Sequence, residues 1–548
     1  MTTTTTAAAA PTSTTSKPHR HVPLRPAAPV PAHGLQVTQA SDIPAGSQLT
    51  LEADVVVVGS GAGGAITAYE LARAGQRVVV LEAGPYVPSE KFTEMLAVSM
   101  ATLYADHGGQ TNAHGDISIL QGSCVGGSTV VNAALCFRTP DYYLKLWAKD
   151  YGLGNLTPAV MRPYFEKIER NLHIRQVGPH ETSPGAELLA KGMTQLGYPL
   201  GKARRNIKEC VNSGACFSGC ATDRKQSMLV TYLPWAVAHG ARIYSDTRVT
   251  QVLTEGGAAS GVQAEVWENG QKKADVRVNA ARVVLAAGPV QTPLLLLASS
   301  LANSSDQVGR NFACHPTLSV TAEFGHEVGD FYGATHSLYM DQATLPEKGG
   351  WLLLNAVQDP VEASFQAEPG TGKPYMAYMS GYKNTVRLIS LIHDKNVGRI
   401  SWKDGQKHIH YEVDDADFEA MKKGLVATCR ILFAAGAKKL YLPTSNRAVI
   451  ERPEDVAAAI SALRNEPARY KYTSFHPQGT CRMGADPRKT VVNPHGETHD
   501  VKRLYVADAS LLPTSIGYNP SETVYALASY ISDQIVAQLP GQPGRRVA

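Results

Sequence analysis

No unbroken apolar run in this 548-residue chain is long enough to cross a bilayer. The nearest approach, RVVLAAGPVQTPLLLLASSL at 282–301, is divided by Pro289, Gln291 and Pro293. It reads instead as a short strand over 283–286, a Gly-Pro turn and a helix starting near Thr292. The start of the chain also lacks the positive-then-apolar order of a secretory signal and any adjacent arginines, so cytoplasmic residence is the expectation. Excess charge is missing too. The formal net charge is +4, and Lys17, Arg20 and Arg25 supply three of those charges from a segment with no acid before Asp42. The body is therefore near neutral, which excludes an electrostatic nucleic-acid surface. Cysteines are few, eight in all, and without an export signal they are expected as reduced thiols.

What is present is the composition of a globular protein, 43% hydrophobic and 18% charged, in a chain too long for one core. No repeat is visible, and strand and helix signals alternate, which predicts an α/β architecture of two interleaved domains. Residues 1–48, rich in Thr, Ala and Pro, read as a disordered tail, and 538–548 as a second tail. Segments 50–160, 240–312 and 470–537 read as one nucleotide-binding domain, and 161–239 with 313–469 as a substrate-binding domain. Within the latter, WLLLNAVQD, VRLISLIHD, RISWKDG and HIHYEV read as strands of one separate sheet.

The run DVVVVGSGAGGAITAYELARAGQRVVVLEAG at 54–84 carries the clearest chemistry. Val55, Val56, Val57 and Val58 predict a strand buried on both faces, followed by Gly59, Gly61 and Gly64 in G-x-G-x-x-G order. Gly59 permits the tight turn, Gly61 admits a pyrophosphate to the backbone, and Gly64 lets the helix pack against the sheet. Residues 77–81 read as the second parallel strand, and Glu82 stands where a carboxylate accepts from both hydroxyls of an adenosine ribose. Taken alone, this unit serves NAD or FAD equally well. At the other end lie YTSFHPQGTCRMG at 472–484 and LYVADASLLPTSIGYNPSETVYALASYI at 504–531. Asn519, Pro520 and Glu522 have the form of a helix start, with Asn519 as N-cap and Pro520 in first position, and Leu527, Ile531 and Ile535 would form the buried face.

With these segments and GSCVGGSTVVNAALCFR at 122–138, the chain resembles the glucose-methanol-choline (GMC) family of FAD-dependent oxidoreductases over about residues 52–537. The resemblance implies a Rossmann-like FAD-binding domain interleaved with an α+β substrate domain containing an antiparallel sheet. It implies resident FAD contacted by Gly59, Gly61, Gly64, Glu82, Gly126, Gly127, Ser128, Asn132, Val249, Asp508, Ala509 and Pro520. Ser128 and Asn132 could instead only close their loop. The resemblance further implies oxidation of an alcohol to a carbonyl by hydride transfer to flavin N5, with His476 as base and Asn519 as hydrogen-bond partner of the substrate oxygen. An imidazole suits that task because it titrates near neutrality. Asn519 as an N-cap and as a substrate ligand would compete for one side-chain oxygen. His107 and His114 precede the second flavin loop, where some family members tether the cofactor covalently.

The segment ECVNSGACFSGCATDRKQSMLVTYL resembles the long-chain alcohol oxidase branch and implies an apolar or long-chain alcohol substrate. Its Cys210, Cys216 and Cys220 also resemble the iron–sulfur segment of sugar dehydrogenases in the family, although Ala221 replaces their proline. An iron–sulfur cluster, a loop packed by buried thiols and a disulfide are the alternatives. The alternative activities are a sugar or polyol dehydrogenase with an iron–sulfur relay, and a non-redox cyanohydrin lyase. Oxygen or another acceptor would take the electrons.

Overall fold

The computed structural model describes residues 35–366, 372–446, 448–466 and 468–539. The expected tails thus lie outside the described residues up to 34 and from 540. Residues 35–48, expected in the first tail, are instead part of the described fold. Thr38 N–H already donates to the Ile243 carbonyl at 2.9 Å, and Ala40 and Ile43 are buried.

Strand β1 (Gln48–Val58) ends in the four valines, each at most 5% exposed. Their burial contributes roughly 6–12 kcal/mol before chain entropy is counted. It runs parallel to β2 (Val78–Leu81) on one side, with Val58 opposite Leu81, and to Gln271–Leu285 on the other, with Val58 opposite Leu285. Leu504–Val506 joins the latter strand in parallel, Val506 opposite Leu285. Four strand ends therefore lie level at the carboxyl edge of one seven-stranded sheet, where α/β proteins bind ligands. Arg242–Tyr244 completes one edge, and the antiparallel Ala258–Glu268 and Thr247–Glu255 the other. Helix α1 (Ala62–Arg73) covers this sheet and packs against the C-terminal helix Ser521–Ala537, whose Leu527, Ile531 and Ile535 are buried as expected.

A second, nine-stranded sheet is built around Thr317–Glu323, Thr385–Ile392 and Trp351–Ala356, paired antiparallel in that order. Every residue of Thr385–Ile392 is buried, because helix Asp415–Ala434 covers one face and Ile389 and Leu391 on the other pack with Leu352 and Leu354. Tyr472–Ser474 pairs with Thr317–Glu323 and with Ile117–Ile119, which fastens the loop after Ser474 between the two sheets. The α/β class with an antiparallel second sheet is as expected.

Two local expectations are corrected. Gly398–Lys403 and Gln406–His410 do not join the sheet of Trp351–Ala356; they form a hairpin in a separate three-stranded sheet with Arg310–Phe312. Asp404 (φ 52°) and Gly405 (φ 75°) make its tight turn, and the Trp402 indole donates to the Leu294 carbonyl at 3.1 Å, holding the hairpin against helix Gly288–Ala298. That helix starts at Gly288 rather than near Thr292, because Pro289 sits in the first turn, where no N–H partner is needed.

Candidate active site

One cavity of about 710 Å³ runs from the end of β1 to the loop after Tyr472–Ser474. That volume is in the upper part of the usual range for ligand pockets. Of the expected cofactor contacts, Gly59, Gly61, Glu82, Gly127, Ser128, Asn132, Val249, Asp508, Ala509 and Pro520 all line it; Gly64 and Gly126 do not.

The glycine turn shows why those two differ. Gly59 has φ +95°, and a Cβ there would lie 2.4 Å from the Ala286 carbonyl oxygen. Gly64 is a packing position, since its Cβ would lie 2.0 Å from the Gly59 oxygen. Gly126 (φ +96°) donates its N–H to Ser60 Oγ at 3.0 Å and so ties the second loop to the first turn. Ser60 in turn donates its N–H and O–H to Glu82 Oε2 at 2.9 and 2.7 Å, and Gly84 N–H donates to Oε1 at 3.0 Å. Burial raises the Glu82 pKa against these three bonds. They leave part of a carboxylate's roughly four acceptor sites for a ligand. Ser128 and Asn132 do close their loop, accepting from Gly122 N–H and Ala134 N–H at 2.9 Å each, and both face the cavity as well. Asp508 braces the floor by accepting from Gly288 N–H and Thr292 O–H at 2.9 and 2.6 Å.

These residues fit FAD. The N-terminal turn of α1 carries no acid and opens on the cavity at Gly61, where a Cβ would meet only Gly127 Cα, at 3.7 Å. Main-chain N–H groups at such a helix start suit a pyrophosphate. Gly63, which no sequence pattern singled out, is the tightest point, because its Cβ would lie 1.5 Å from the Ala507 oxygen. His107 and His114 do not line the cavity; their ring nitrogens lie 2.6 Å from the Ala101 carbonyl and 2.7 Å from Glu412 Oε1.

At the other end, His476 and Asn519 come together as expected, with Asn519 Nδ2 2.9 Å from His476 Nε2. Asn519 is not the N-cap. The helix begins at Ser521 with Pro520 in the cap position, and Asn519 Oδ1 is buried without a partner. The first helical bond runs from Val524 N–H to the Pro520 carbonyl at 3.0 Å, which sets the cap at Pro520 and leaves Asn519 one residue outside the helix with its amide turned to His476. Two further histidines, absent from the sequence expectations, adjoin this pair. His315 Nδ1 lies 3.2 Å from His476 Nδ1, and His336 lines the same cavity. Burial, and then the neighbouring rings of His315 and His336, hold His476 well below the usual imidazole pKa, so it is neutral at pH 7.

The three spaced cysteines do not meet as metal ligands. Among the described residues no group of three or more His, Cys, Asp or Glu side chains is placed to hold a metal ion. Cys216 Sγ instead accepts from Arg205 Nη2 at 3.1 Å, and Cys220 Sγ accepts from Lys225 N–H at 3.4 Å. Burial would raise the Cys216 pKa, but Arg205 and Lys225 outweigh it and hold the thiol at about 7. The Lys225 ammonium donates to the carbonyls of Val130, Asn132 and Cys216, so this cluster braces the cavity wall at 130–133. All eight cysteines are free.

Comparison with known proteins agrees with this geometry. The chain matches the GMC oxidoreductase family over residues 100–317 and 394–528, and an FAD-binding domain over 54–99. It is 31% identical to an uncharacterized GMC-type oxidoreductase of Sinorhizobium fredii over 89% of this chain and 95% of that one. It is 30% identical to a long-chain-alcohol oxidase of Arabidopsis thaliana over 89% of this chain and 69% of that one. Among solved structures it shares the fold of a formate oxidase variant of Aspergillus oryzae, with a TM-score of 0.66, 16% identity and coverage of 90% and 99%.

Proposed function

This chain belongs to the GMC oxidoreductase family and is an FAD-dependent oxidoreductase acting on CH–OH donors; from that premise we propose that it oxidises an apolar, long-chain alcohol to its carbonyl. We also propose residues 50–160, 240–312 and 470–537 as the FAD-binding domain, with 161–239 and 313–469 as the substrate-binding domain. The observation that carries the substrate reading is the composition of the cavity near His476 and Asn519. Phe217, Phe475, Leu354, Ile389 and Leu391 line it, and no charged side chain of the nine-stranded sheet does. A hydrocarbon tail suits such a wall, whereas a polyol would leave hydroxyls unpaired there. The long-chain-alcohol oxidases among the relatives support the same class.

Bound FAD supplies the two-electron acceptor for the hydride. In this reading Glu82, Gly59 and the start of α1 hold the adenosine and pyrophosphate, while Pro520 and Ala509 border the reactive end. His476 and Asn519 bracket the substrate hydroxyl and orient its C–H bond, and the burial of His476 keeps bulk water from the proton-transfer step. Oxygen is the acceptor we propose for the second half-reaction.

Anaerobic addition of long-chain primary alcohols should bleach the oxidised flavin absorption, with short polyols slower. Bleaching by polyols alone would replace the apolar assignment, and none with any alcohol would reject alcohol oxidation. Oxygen uptake compared with reduction of an artificial dye tests the acceptor.

A further inference from the structure

The protons on the three buried imidazoles are set by neighbours that can each play only one part. Gly517 N–H, a main-chain donor, points at His315 Nε2 at 3.1 Å. Gln478 Nε2 lies 3.2 Å from the same nitrogen and also donates to the His476 carbonyl at 3.1 Å, a contact that only the amide nitrogen can make. Two donors on His315 Nε2 require a lone pair there, so neutral His315 carries its proton on Nδ1. That N–H then donates across 3.2 Å to His476 Nδ1, and His476 must carry its own proton on Nε2. Against Nε2–H, the Asn519 NH2 would be donor against donor, while its Oδ1 is buried without a partner. A half turn of the amide resolves both, pairing Oδ1 with Nε2–H, and we assign it so. Burial holds His315 and His476 well below the usual imidazole pKa and, with Arg205 and Arg387 nearby, holds His336 at about 4, so none of the three carries a second proton at rest at pH 7.

His336 has the tautomer opposite to that of His476. Its Nδ1 lies 2.5 Å from the Asn355 carbonyl, an acceptor only, so Nδ1 is protonated and Nε2 carries the lone pair. The turn is held in place because Asn355 Oδ1 also accepts from Ser337 N–H and Leu338 N–H at 2.8 and 2.7 Å. Phe217 joins the two histidines. Its ring meets His336 edge-on at 6.0 Å and stacks on Phe475, the residue before His476, at 5.5 Å.

We propose that His336 Nε2 is the base that takes the hydroxyl proton, and that the Nε2–H of His476, its tautomer set by His315, is shared between Asn519 Oδ1 and the same oxygen when substrate is bound. This rests on the alcohol-oxidation reading above. The O–H bond breaks and its proton goes to His336 Nε2; the hydrogen on carbon leaves with its bonding pair to the flavin, and the C–O bond becomes double. A donor aimed at the oxygen suits the negative charge that develops there as the proton leaves. His315 is then a positioning residue, acting on substrate only through His476.

The test uses flavin-loaded protein labelled with 15N in its histidine rings, with single-histidine variants for assignment. Ring 15N shifts should show His476 protonated at Nε2, and His315 and His336 at Nδ1. His476 protonated at Nδ1 would overturn the proposal. The kinetic arm follows anaerobic flavin reduction by an alcohol that bleaches the wild type. His336→Ala and His336→Gln should each slow it by about 10²–10⁴-fold at unchanged flavin content, as for a lost general base. His476→Ala should lose about 10²–10³-fold, as for a lost oxyanion donor, whereas His476→Gln, which keeps an N–H, should recover most of that. Wild-type rates in both His336 variants, or His476→Gln as slow as His476→Ala, would sink the assignment. If no alcohol bleaches the wild type, it is the alcohol reading that fails, and the 15N shifts still decide the tautomers.

Discussion

The two ends of the cavity are built by different means. Around Gly59 the site consists mainly of backbone, with positive φ angles, carbonyls within contact of glycine Cα atoms and main-chain N–H groups on Glu82. Around His476 it consists of side chains from distant segments, with His315, Gln478 and Asn519 joined to His476 by hydrogen bonds and His336 held separately by the Asn355 carbonyl. A backbone site tolerates almost no added atom, because main chain cannot rotate away. A side-chain network tolerates shape changes better but is sensitive to which atom carries a hydrogen. Substitutions should therefore damage the first end through sterics and the second through proton placement.

The largest expected effect is at Gly63. A Cβ 1.5 Å from the Ala507 oxygen has nowhere to go, so Gly63→Ala should cost at least about 3 kcal/mol and abolish flavin retention after gel filtration. Gly154→Ala, where nothing lies within 4 Å, should change neither. Normal flavin content in Gly63→Ala would contradict the steric account of that end. Next is Ser60→Ala, which removes the hydroxyl linking Glu82 Oε2 and Gly126 N–H. Losing these bonds should weaken FAD binding by about 1–3 kcal/mol, read as roughly a 5- to 150-fold higher Kd by fluorescence titration. A Kd unchanged from wild type would show that the two loops are held independently.

The smallest effect sharpens the comparison from the other end. Glu522, in the first turn of Ser521–Ala537, is raised to about 8 by burial first and then by Glu169, with Arg204 and Arg138 opposing. Its folded pKa lies above its unfolded one, so the folded state binds the extra proton between about pH 4.5 and 8 and stability falls as pH rises through that window. Glu522→Gln keeps the neutral shape. It should raise Tm by about 2–4 °C at pH 8 and leave it unchanged near pH 4. An equal gain at both pH values would mean that packing, not titration, is responsible.

Much of the first end was legible because everything it needs is contiguous. Val55 to Val58, the glycine spacing and Glu82 lie within one strand–turn–helix–strand unit, and local propensity specifies it. Gly63 escaped notice because its partner, Ala507, follows strand Leu504–Val506 at the other end of the chain. His476 and Asn519 were legible through their motifs. His315 and His336 were not, since only the fold sets His315 against His476 and only the bond to the Asn355 carbonyl holds His336 at the cavity. The spacing of Cys210, Cys216 and Cys220 suggested a metal because spacing shows separation along the chain, whereas Arg205 and Lys225, which engage two of the three, are visible only in the fold. Asn519 looked like a cap because composition at a helix start does not reveal which carbonyl accepts the first helical bond, here that of Pro520 from Val524 N–H.

The central claim is that one cavity carries FAD from the glycine turn to a histidine-lined alcohol site, and anaerobic mixing with a long-chain primary alcohol tests it most directly. The account predicts loss of the oxidised flavin absorption with one aldehyde formed per flavin reduced. Unchanged absorption across a panel of apolar and polyol alcohols, in protein that carries its full complement of FAD, would contradict it.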